Sequence, residues 1–239
     1  MDHFVQLYQE LDPLASAVAD YIAEGLRRGE AGVIIATPQH RAAFLEELDS
    51  RALAEGQLRV LDAEEMLGRF MANGMPQWKP FREAIGGLIA ELRLQYPTVR
   101  AYGEMVDVLW QRGSRDAAIR LEEYWNDLGK LQTFSLFCAY RLDPLDSHLY
   151  GGPLESICKV HSHLIPARDT QRFDAAVEAA SHKVLDEPLA QLLLSLAANH
   201  NPPTKMPAGQ ATLFWLKQNM PRTAEKLLSE LRAGPSPAA

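Results

Sequence analysis

Polar side chains come directly after several short β-forming segments of this sequence, and their types are those that hold small molecules. Ligands in open parallel sheets bind beyond the carboxyl ends of the strands, so we expect these side chains to meet at one rim of a sheet. The candidate ligand-binding residues are Tyr8, Gln9, Thr37, His40, Asp62, Arg100, Glu104, Met105 and Tyr140.

Glu104 is the most informative of these residues because it follows Gly103 at the end of a predicted central strand. A carboxylate at that position could bind a ligand, a metal ion or a water molecule. It could equally hold Arg100 or Tyr102, or cap a neighbouring helix. Asp62 and Thr37 have the same alternative, and we predict that Asp62 caps the helix that starts at Ala63.

The loop from Gln9 to Ser16 lies between the first predicted strand and the first predicted helix, where many nucleotide-binding proteins bind phosphate. Phosphate loops use glycines, so that backbone N–H groups converge, and a lysine that neutralises charge. This loop has neither and carries Glu10 and Asp12 instead. We therefore expect no ATPase activity by that mechanism, and we predict that Asp12 caps the helix.

No residue pattern in the sequence predicts a catalytic residue, a cofactor or a metal site. His161 and His163 are two positions apart, and on a helix they would point about 200° apart, too far to share an ion. His161 is instead predicted to be a core histidine on a helix that runs through Leu164. Cys138 lies in an apolar strand and is interpreted as a structural thiol, with a redox sensor as the alternative.

The composition is that of an ordinary globular protein, with 239 residues, 47% hydrophobic and 23% charged, and a net charge of −7. Without a basic segment, neither direct nucleic-acid binding nor binding to an anionic membrane is expected. The two cysteines are too few for a disulfide framework, and no apolar run reaches membrane-spanning length. We therefore expect a cytoplasmic protein.

Short apolar segments alternate with helical periodicity through roughly the first 170 residues, which predicts an α/β fold with a doubly wound, mainly parallel sheet. An all-helical C-terminal extension follows, so we predict domains at 1–168 and 169–239. The predicted strands are His3–Tyr8, Ala31–Ala36, Leu58–Asp62, Val99–Tyr102 and Thr133–Tyr140. The predicted helices are Pro13–Arg28, Gln39–Leu48, Ala63–Ala72, Pro80–Gln95, Gly113–Lys130, Pro153–Leu164, Phe173–Asp186, Leu189–Ala198, Ala211–Met220 and Thr223–Leu231.

Eight short motifs in this order resemble the MEDS domain, the sensory domain of methanogen and methylotroph regulators of the DcmR kind. They are His3-x-x-x-Leu7-Tyr8, Gly25-Leu26-x-x-Gly29-Glu30, Val33–Thr37, Leu61–Glu65, Val99-Arg100-x-Tyr102-Gly103-Glu104-Met105, Leu121-Glu122-x-Tyr124-Trp125-Asn126, Phe137-Cys138-x-Tyr140 and His161. The resemblance covers about residues 2–166. It implies a RecA/KaiC-like fold with a degenerate phosphate loop and a ligand-sensing role in bacteria or archaea, with hydrocarbon derivatives among the proposed ligands.

The leading hypothesis is therefore a non-enzymatic sensory domain that binds a small molecule or a signalling protein and acts in signal transduction or transcriptional control. One alternative is a nucleotide-binding protein or NTPase with a non-standard loop. Another is an interaction module that forms a homo-oligomer through the helical tail, where the segments Leu192–Leu196 and Leu213–Leu216 are too apolar for exposure to water.

Overall fold

The fold is given by a computed structural model, which describes residues 1–48, 56–166, 170–199 and 206–234. Contacts along the chain separate two compact units, residues 1–141 and residues 142–239. The boundary at residue 168, predicted from where the strand and helix alternation ends, stays a prediction.

The N-terminal unit contains five parallel strands in one sheet and a separate small hairpin. The strands are β1 (His3–Tyr8), β2 (Ala31–Ala36), β3 (Leu58–Asp62), β4 (Met71–Ala72), β5 (Met75–Pro76), β6 (Val99–Gly103) and β7 (Ser135–Arg141). The sheet order is β3-β2-β6-β7-β1, each neighbouring pair is parallel, and β4 and β5 form the antiparallel hairpin. The predicted α/β fold with a mainly parallel sheet is confirmed.

Helices connect these strands and cover both faces of the sheet. They are α1 (Leu11–Arg27), α2 (Pro38–Glu47), α3 (Ala63–Phe70), α4 (Trp78–Phe81), α5 (Gly87–Leu92), α6 (Met105–Gln111) and α7 (Arg115–Leu131). A π-helical turn (Arg82–Gly86) joins α4 to α5, at the Gly86-Gly87 pair where the sequence allows a bend.

The two faces of the sheet are occupied by different helices. On one face, Tyr21 of α1 makes edge-to-face contacts with Phe4 and Phe137, and Phe44 of α2 contacts Tyr102. On the other face, Trp125 of α7 lies against Gly103. All six residues of β2 are buried, as expected for a strand covered on both sides.

This arrangement places a topological switch point between β2 and β6. The two strands are neighbours, but α2, which follows β2, lies on the face opposite to α7, which follows β6 and α6. Chain segments therefore diverge from the carboxyl ends of these strands and leave a crevice, the position at which open α/β sheets hold their ligands.

Three local predictions for this unit are wrong. The helix predicted through Ala72 ends at Phe70, because Asn73 and Gly74 take positive φ angles of 52° and 76° and turn the chain into the hairpin. The segment after β6 forms the helix α6, which was not predicted. Asp12 does not cap α1, because Glu10 holds the cap position and Asp12 lies in the first turn.

The C-terminal unit is helical apart from one short strand in its described residues. Its elements are a 3₁₀ turn (Ser147–Gly151), α8 (Pro153–Val160), β8 (His163–Ile165), α9 (Thr170–Val184), α10 (Glu187–Asn199), α11 (Ala208–Asn219) and α12 (Pro221–Ala233). The helix predicted through Leu164 ends at Val160, and His161 is its C-cap with extended backbone. The sequence HNPPTKMP at residues 200–207 predicts a loop, of which residues 200–205 lie outside the described residues.

Apolar side chains of α9, α11 and α12 form the interior of this unit. Leu213, Leu216, Leu227 and Leu228 have no exposed surface, so most of the apolar segment at 213–216 is buried, and its Trp215 is half-buried. Within the described part of the chain, none of the helices combines the length and apolar character that crossing a membrane requires.

Candidate functional site

A cavity of about 320 Å³ opens at the carboxyl end of the sheet, beside the switch point. Its walls come from the ends of β1 and β7, the start of α2, the first turn of α3, and α6. The lining residues are Tyr8, Thr37, His40, Glu64, Glu104, Asp107, Val108, Gln111, Arg112 and Arg141. Four of the nine residues predicted for the rim are among them: Tyr8, Thr37, His40 and Glu104.

Glu104 connects the ends of β2 and β6. Its Oε2 accepts a 2.8 Å hydrogen bond from the backbone N–H of Thr37, and the Thr37 hydroxyl donates to Oε1 at 3.1 Å. His40 Nδ1 lies 2.9 Å from Oε1, although the ring is not aligned for a hydrogen bond. Only 4% of Glu104 is exposed, so these groups hold the carboxylate in place. The alternative in which Glu104 holds Arg100 is wrong.

Asp107 is the second buried carboxylate of the cavity, with 3% of its surface exposed. Its Oδ2 accepts from the Tyr8 hydroxyl at 2.9 Å. Its Oδ1 accepts from Gln111 Nε2 at 2.8 Å and from the backbone N–H of Arg141 at 3.1 Å. Asp107 thereby joins α6 to the ends of β1 and β7.

Burial shifts the pKa values of both Asp107 and Tyr8. Desolvation raises the pKa of Asp107 above its ordinary value, against the three hydrogen bonds that lower it, and the charge of Glu104 raises it further. Burial also raises the pKa of Tyr8 well above its ordinary range, and the neighbouring Asp107 adds to that effect. Tyr8 is therefore a hydrogen-bond donor at neutral pH and not a phenolate base.

Five of the nine predicted rim residues do not line the cavity. Asp62 accepts from the backbone N–H groups of Glu64 and Glu65 at 2.9 and 3.0 Å, which confirms the prediction that it caps α3. Gln9 is exposed, and Met105 is fully buried in the first turn of α6.

Arg100 and Tyr140 are engaged elsewhere in the sheet. Arg100 Nε donates to Glu30 at 2.6 Å, and its guanidinium group stacks over the Tyr21 ring. The Tyr140 hydroxyl donates to Glu122 at 2.8 Å on the α7 face.

Six lining residues are not among the nine. Arg141 directly follows Tyr140 at the end of β7, and the other five were not predicted: Glu64, Asp107, Val108, Gln111 and Arg112. Most of those five lie on or just after α6, a helix that the sequence did not predict. The signal was present, because Asp107 and Gln111 lie three and seven residues after Glu104 and therefore share one helical face with it.

The connection between β1 and α1 consists only of Gln9 and Glu10. Two residues cannot wrap around a phosphate chain as a glycine-rich loop does, and a negative side chain stands at the helix N-terminus. The connection therefore has neither the length nor the charge of a glycine-rich phosphate loop.

Comparison with known families adds one finding. The family model of the MEDS domain, described as the "MEthanogen/methylotroph, DcmR Sensory domain", matches residues 2–162. The chain belongs to the MEDS family. No curated protein and no solved structure matches it significantly.

The MEDS match includes every residue that lines the cavity, since these run from Tyr8 to Arg141. The family is a sensory one, so the chain has a sensory or regulatory role. The RecA/KaiC likeness, the bacterial origin and the cytoplasmic location stay predictions.

Proposed function

We propose that this MEDS domain senses a small polar organic molecule that binds in the cavity at the carboxyl end of its sheet. The observation that carries the proposal is the pair of buried carboxylates, Glu104 and Asp107, in the wall of a cavity beside a switch point. Burying a carboxylate costs free energy that its hydrogen bonds only offset, and buried titratable groups gathered in a cleft are typical of functional sites.

The chemistry of the wall favours a ligand that donates hydrogen bonds. The carboxylate oxygens accept, and Val108 adds an apolar surface. A small alcohol or amine with a short hydrocarbon part fits these groups. The volume of about 320 Å³ lies at the lower end of the range for small-molecule sites. The three carboxylates of the wall outnumber its two arginines, of which Arg112 is paired with Glu64, and this balance disfavours phosphate groups.

A sensor must also change state, and α6 is the element that would report binding. Asp107 and Gln111 project from α6 and hold the chain end of β7 through Arg141. A ligand that replaces these hydrogen bonds would favour a second position of α6. The shift in population between the two positions is set by the difference in the ligand's affinity for them. The output, in signal transduction or transcriptional control, would follow through a partner protein.

Isothermal titration of the full chain with a panel of C1–C4 alcohols and methylated amines tests the proposal. We expect saturable binding of at least one compound, weakened at least about tenfold in Glu104→Gln and in Asp107→Asn, which each remove one charge-assisted contact. Asp127→Asn is the matched control, because Asp127 is an exposed carboxylate on α7 that pairs with its helix neighbour Lys130.

Two outcomes would count against the proposal. One is that the chain, shown by circular dichroism to be folded, binds none of the compounds in the panel. The other is a large rise in melting temperature with ATP and Mg²⁺, which would favour the nucleotide-binding alternative.

The predicted homo-oligomer stays a separate proposal. Leu189, Leu192 and Leu196 of α10 are 37%, 55% and 43% exposed and follow helical spacing. Light scattering of the wild-type chain and of Leu192→Ser tests whether that stripe joins two copies.

A further inference from the structure

Three buried side chains meet on the face of the sheet opposite to α1 and α2. His3 stands at the start of β1, and Cys138 lies in the middle of the neighbouring strand β7, where Val5 is its register partner. Side chains alternate along a strand, so His3, Val5 and Cys138 share one face. Glu122 projects onto that face from α7, and all three residues are at most 1% exposed.

The donor atoms of these residues form a nearly regular triangle. His3 Nε2 lies 3.2 Å from Glu122 Oε2, Cys138 Sγ lies 3.4 Å from that oxygen, and His3 Nε2 lies 3.5 Å from Sγ. Zinc ligands at about 2.0–2.3 Å in tetrahedral geometry are separated by about 3.3–3.8 Å, so the three distances lie at the lower end of that range. We propose that His3, Glu122 and Cys138 form a binding site for a divalent transition-metal ion of the zinc type.

Outer contacts hold two of the three ligands in the orientation that such an ion needs. His3 Nδ1 donates to Asn126 Oδ1 at 3.0 Å, which leaves the Nε2 lone pair directed toward the cluster. Glu122 accepts from the Tyr140 hydroxyl through Oε1, so its other oxygen, Oε2, faces His3 and Cys138. Metal-binding histidines and carboxylates are commonly oriented by partners of this kind.

The buried carboxylate of Glu122 also calls for a positive charge beside it. In the absence of an ion, a doubly protonated His3 would supply that charge and donate from Nε2 to Glu122 Oε2 at 3.2 Å. A single cation would be ligated by all three atoms and would also compensate the buried carboxylate.

The donor set selects the class of ion. One imidazole nitrogen, one carboxylate oxygen and one sulfur suit Zn²⁺ or Co²⁺, whereas Mg²⁺ and Ca²⁺ prefer oxygen donors alone. Three protein donors leave one position of a tetrahedral ion to a further ligand. On binding, the thiol proton leaves to solvent as the bond from Sγ to the metal forms.

The site is independent of the proposed function. It contains none of the residues that line the rim cavity, and His3 stands at the amino end of β1, five residues before the rim residue Tyr8. Failure of the metal test therefore leaves the rim ligand untouched, and failure of the ligand titration leaves the metal site untouched.

Cobalt substitution tests the proposal. The untagged full chain is refolded from denaturant with Co²⁺, because buried ligands are loaded during folding. We expect about one equivalent of bound Co²⁺ and a thiolate-to-cobalt charge-transfer band in the near ultraviolet. The band should disappear in Cys138→Ser and remain in Cys158→Ser, the same change at the other buried cysteine.

Two further variants separate a metal site from a hydrogen-bonded cluster. Glu122→Gln keeps the shape of the side chain and should lose most of the Co²⁺ affinity. Asn126→Ala removes an outer partner and should weaken binding by about 10–100-fold without changing the band.

A folded wild-type chain that binds no stoichiometric Co²⁺ or Zn²⁺ would overturn the proposal, and so would a band that persists in Cys138→Ser. If that variant does not fold, X-ray absorption on the zinc-loaded wild-type chain decides. We expect one sulfur at about 2.3 Å with nitrogen and oxygen at about 2.0–2.2 Å, and a shell without sulfur would refute the site.

Discussion

The Tyr8 hydroxyl donates a 2.9 Å hydrogen bond to Asp107, a residue 99 positions later in the chain. This bond joins the carboxyl end of β1 to α6, across the rim where the cavity opens. Tyr8 is only 6% exposed, so water cannot easily replace the hydroxyl if it is removed.

Tyr8→Phe should therefore lower the free energy of unfolding by about 1.5–3 kcal/mol, the usual value for a hydrogen bond to a charged group. Urea denaturation followed by circular dichroism measures the change, with an unaltered m-value if the native state stays intact. A loss below about 0.5 kcal/mol would mean that the hydrogen bond from Tyr8 to Asp107 contributes little to the stability of the fold.

Asp107 should make the protein lose stability as pH rises above the ordinary Asp pKa of 3.8. Its pKa is raised in the folded state, so the native protein binds more protons than the unfolded chain between 3.8 and the raised value. The favourable contribution is complete below 3.8 and is lost as pH rises through the folded pKa.

Urea denaturation of the wild-type chain and of Asp107→Asn from pH 3.5 to 7 measures that contribution. The stability difference, wild type minus variant, should fall with pH across this window because asparagine does not titrate. A difference that rises with pH would show that the three hydrogen bonds outweigh burial and lower the pKa instead.

Gly25→Ala should destabilise the protein although alanine favours helices. A Cβ at Gly25 would lie 2.5 Å from Arg100 Cδ and 2.9 Å from Glu30 Oε2, and would disturb the ion pair between them. We expect a loss of about 1–3 kcal/mol, as for overpacked sites.

Gly68→Ala is the matched control, since nothing lies within 4 Å of a Cβ added there in α3. It should stabilise the protein by up to about 1 kcal/mol through helix propensity alone. Equal effects of the two substitutions in denaturant unfolding would refute the steric account.

Asp62→Ala should cost about 0.5–2 kcal/mol, because two backbone N–H groups at the start of α3 lose their acceptor. Asp62→Asn keeps an acceptor oxygen and should cost much less. Thermal melting compares the two, and a similar loss in both would assign the effect to the ion pair with Arg41 at 3.2 Å instead.

Sequence periodicity was sufficient for the sheet and most helices because each buried strand is a short apolar segment and each long helix has one apolar stripe. It failed at α6, where five of the six buried residues from Met105 to Trp110 are apolar, so the helical period shows only in the spacing of Glu104, Asp107 and Gln111. It also failed at β8, whose three residues are too few to show alternation.

The rim residues could be predicted only as far as strand ends could be located. Tyr8 ends β1, and Thr37 and Glu104 directly follow β2 and β6, so their meeting follows from the parallel order of the sheet. The association of His3 with Glu122 and Cys138 could not be predicted, because it depends on β1 lying beside β7 and on which face α7 covers.

Strand β1 carries both candidate sites, with His3 at its amino end and Tyr8 at its carboxyl end. Their side chains point to opposite faces, yet a six-residue strand held between them moves nearly as one piece. The two sites are then linked by thermodynamic reciprocity. If a ligand at the rim changes the affinity for the metal ion by some factor, the ion must change the affinity for the rim ligand by the same factor.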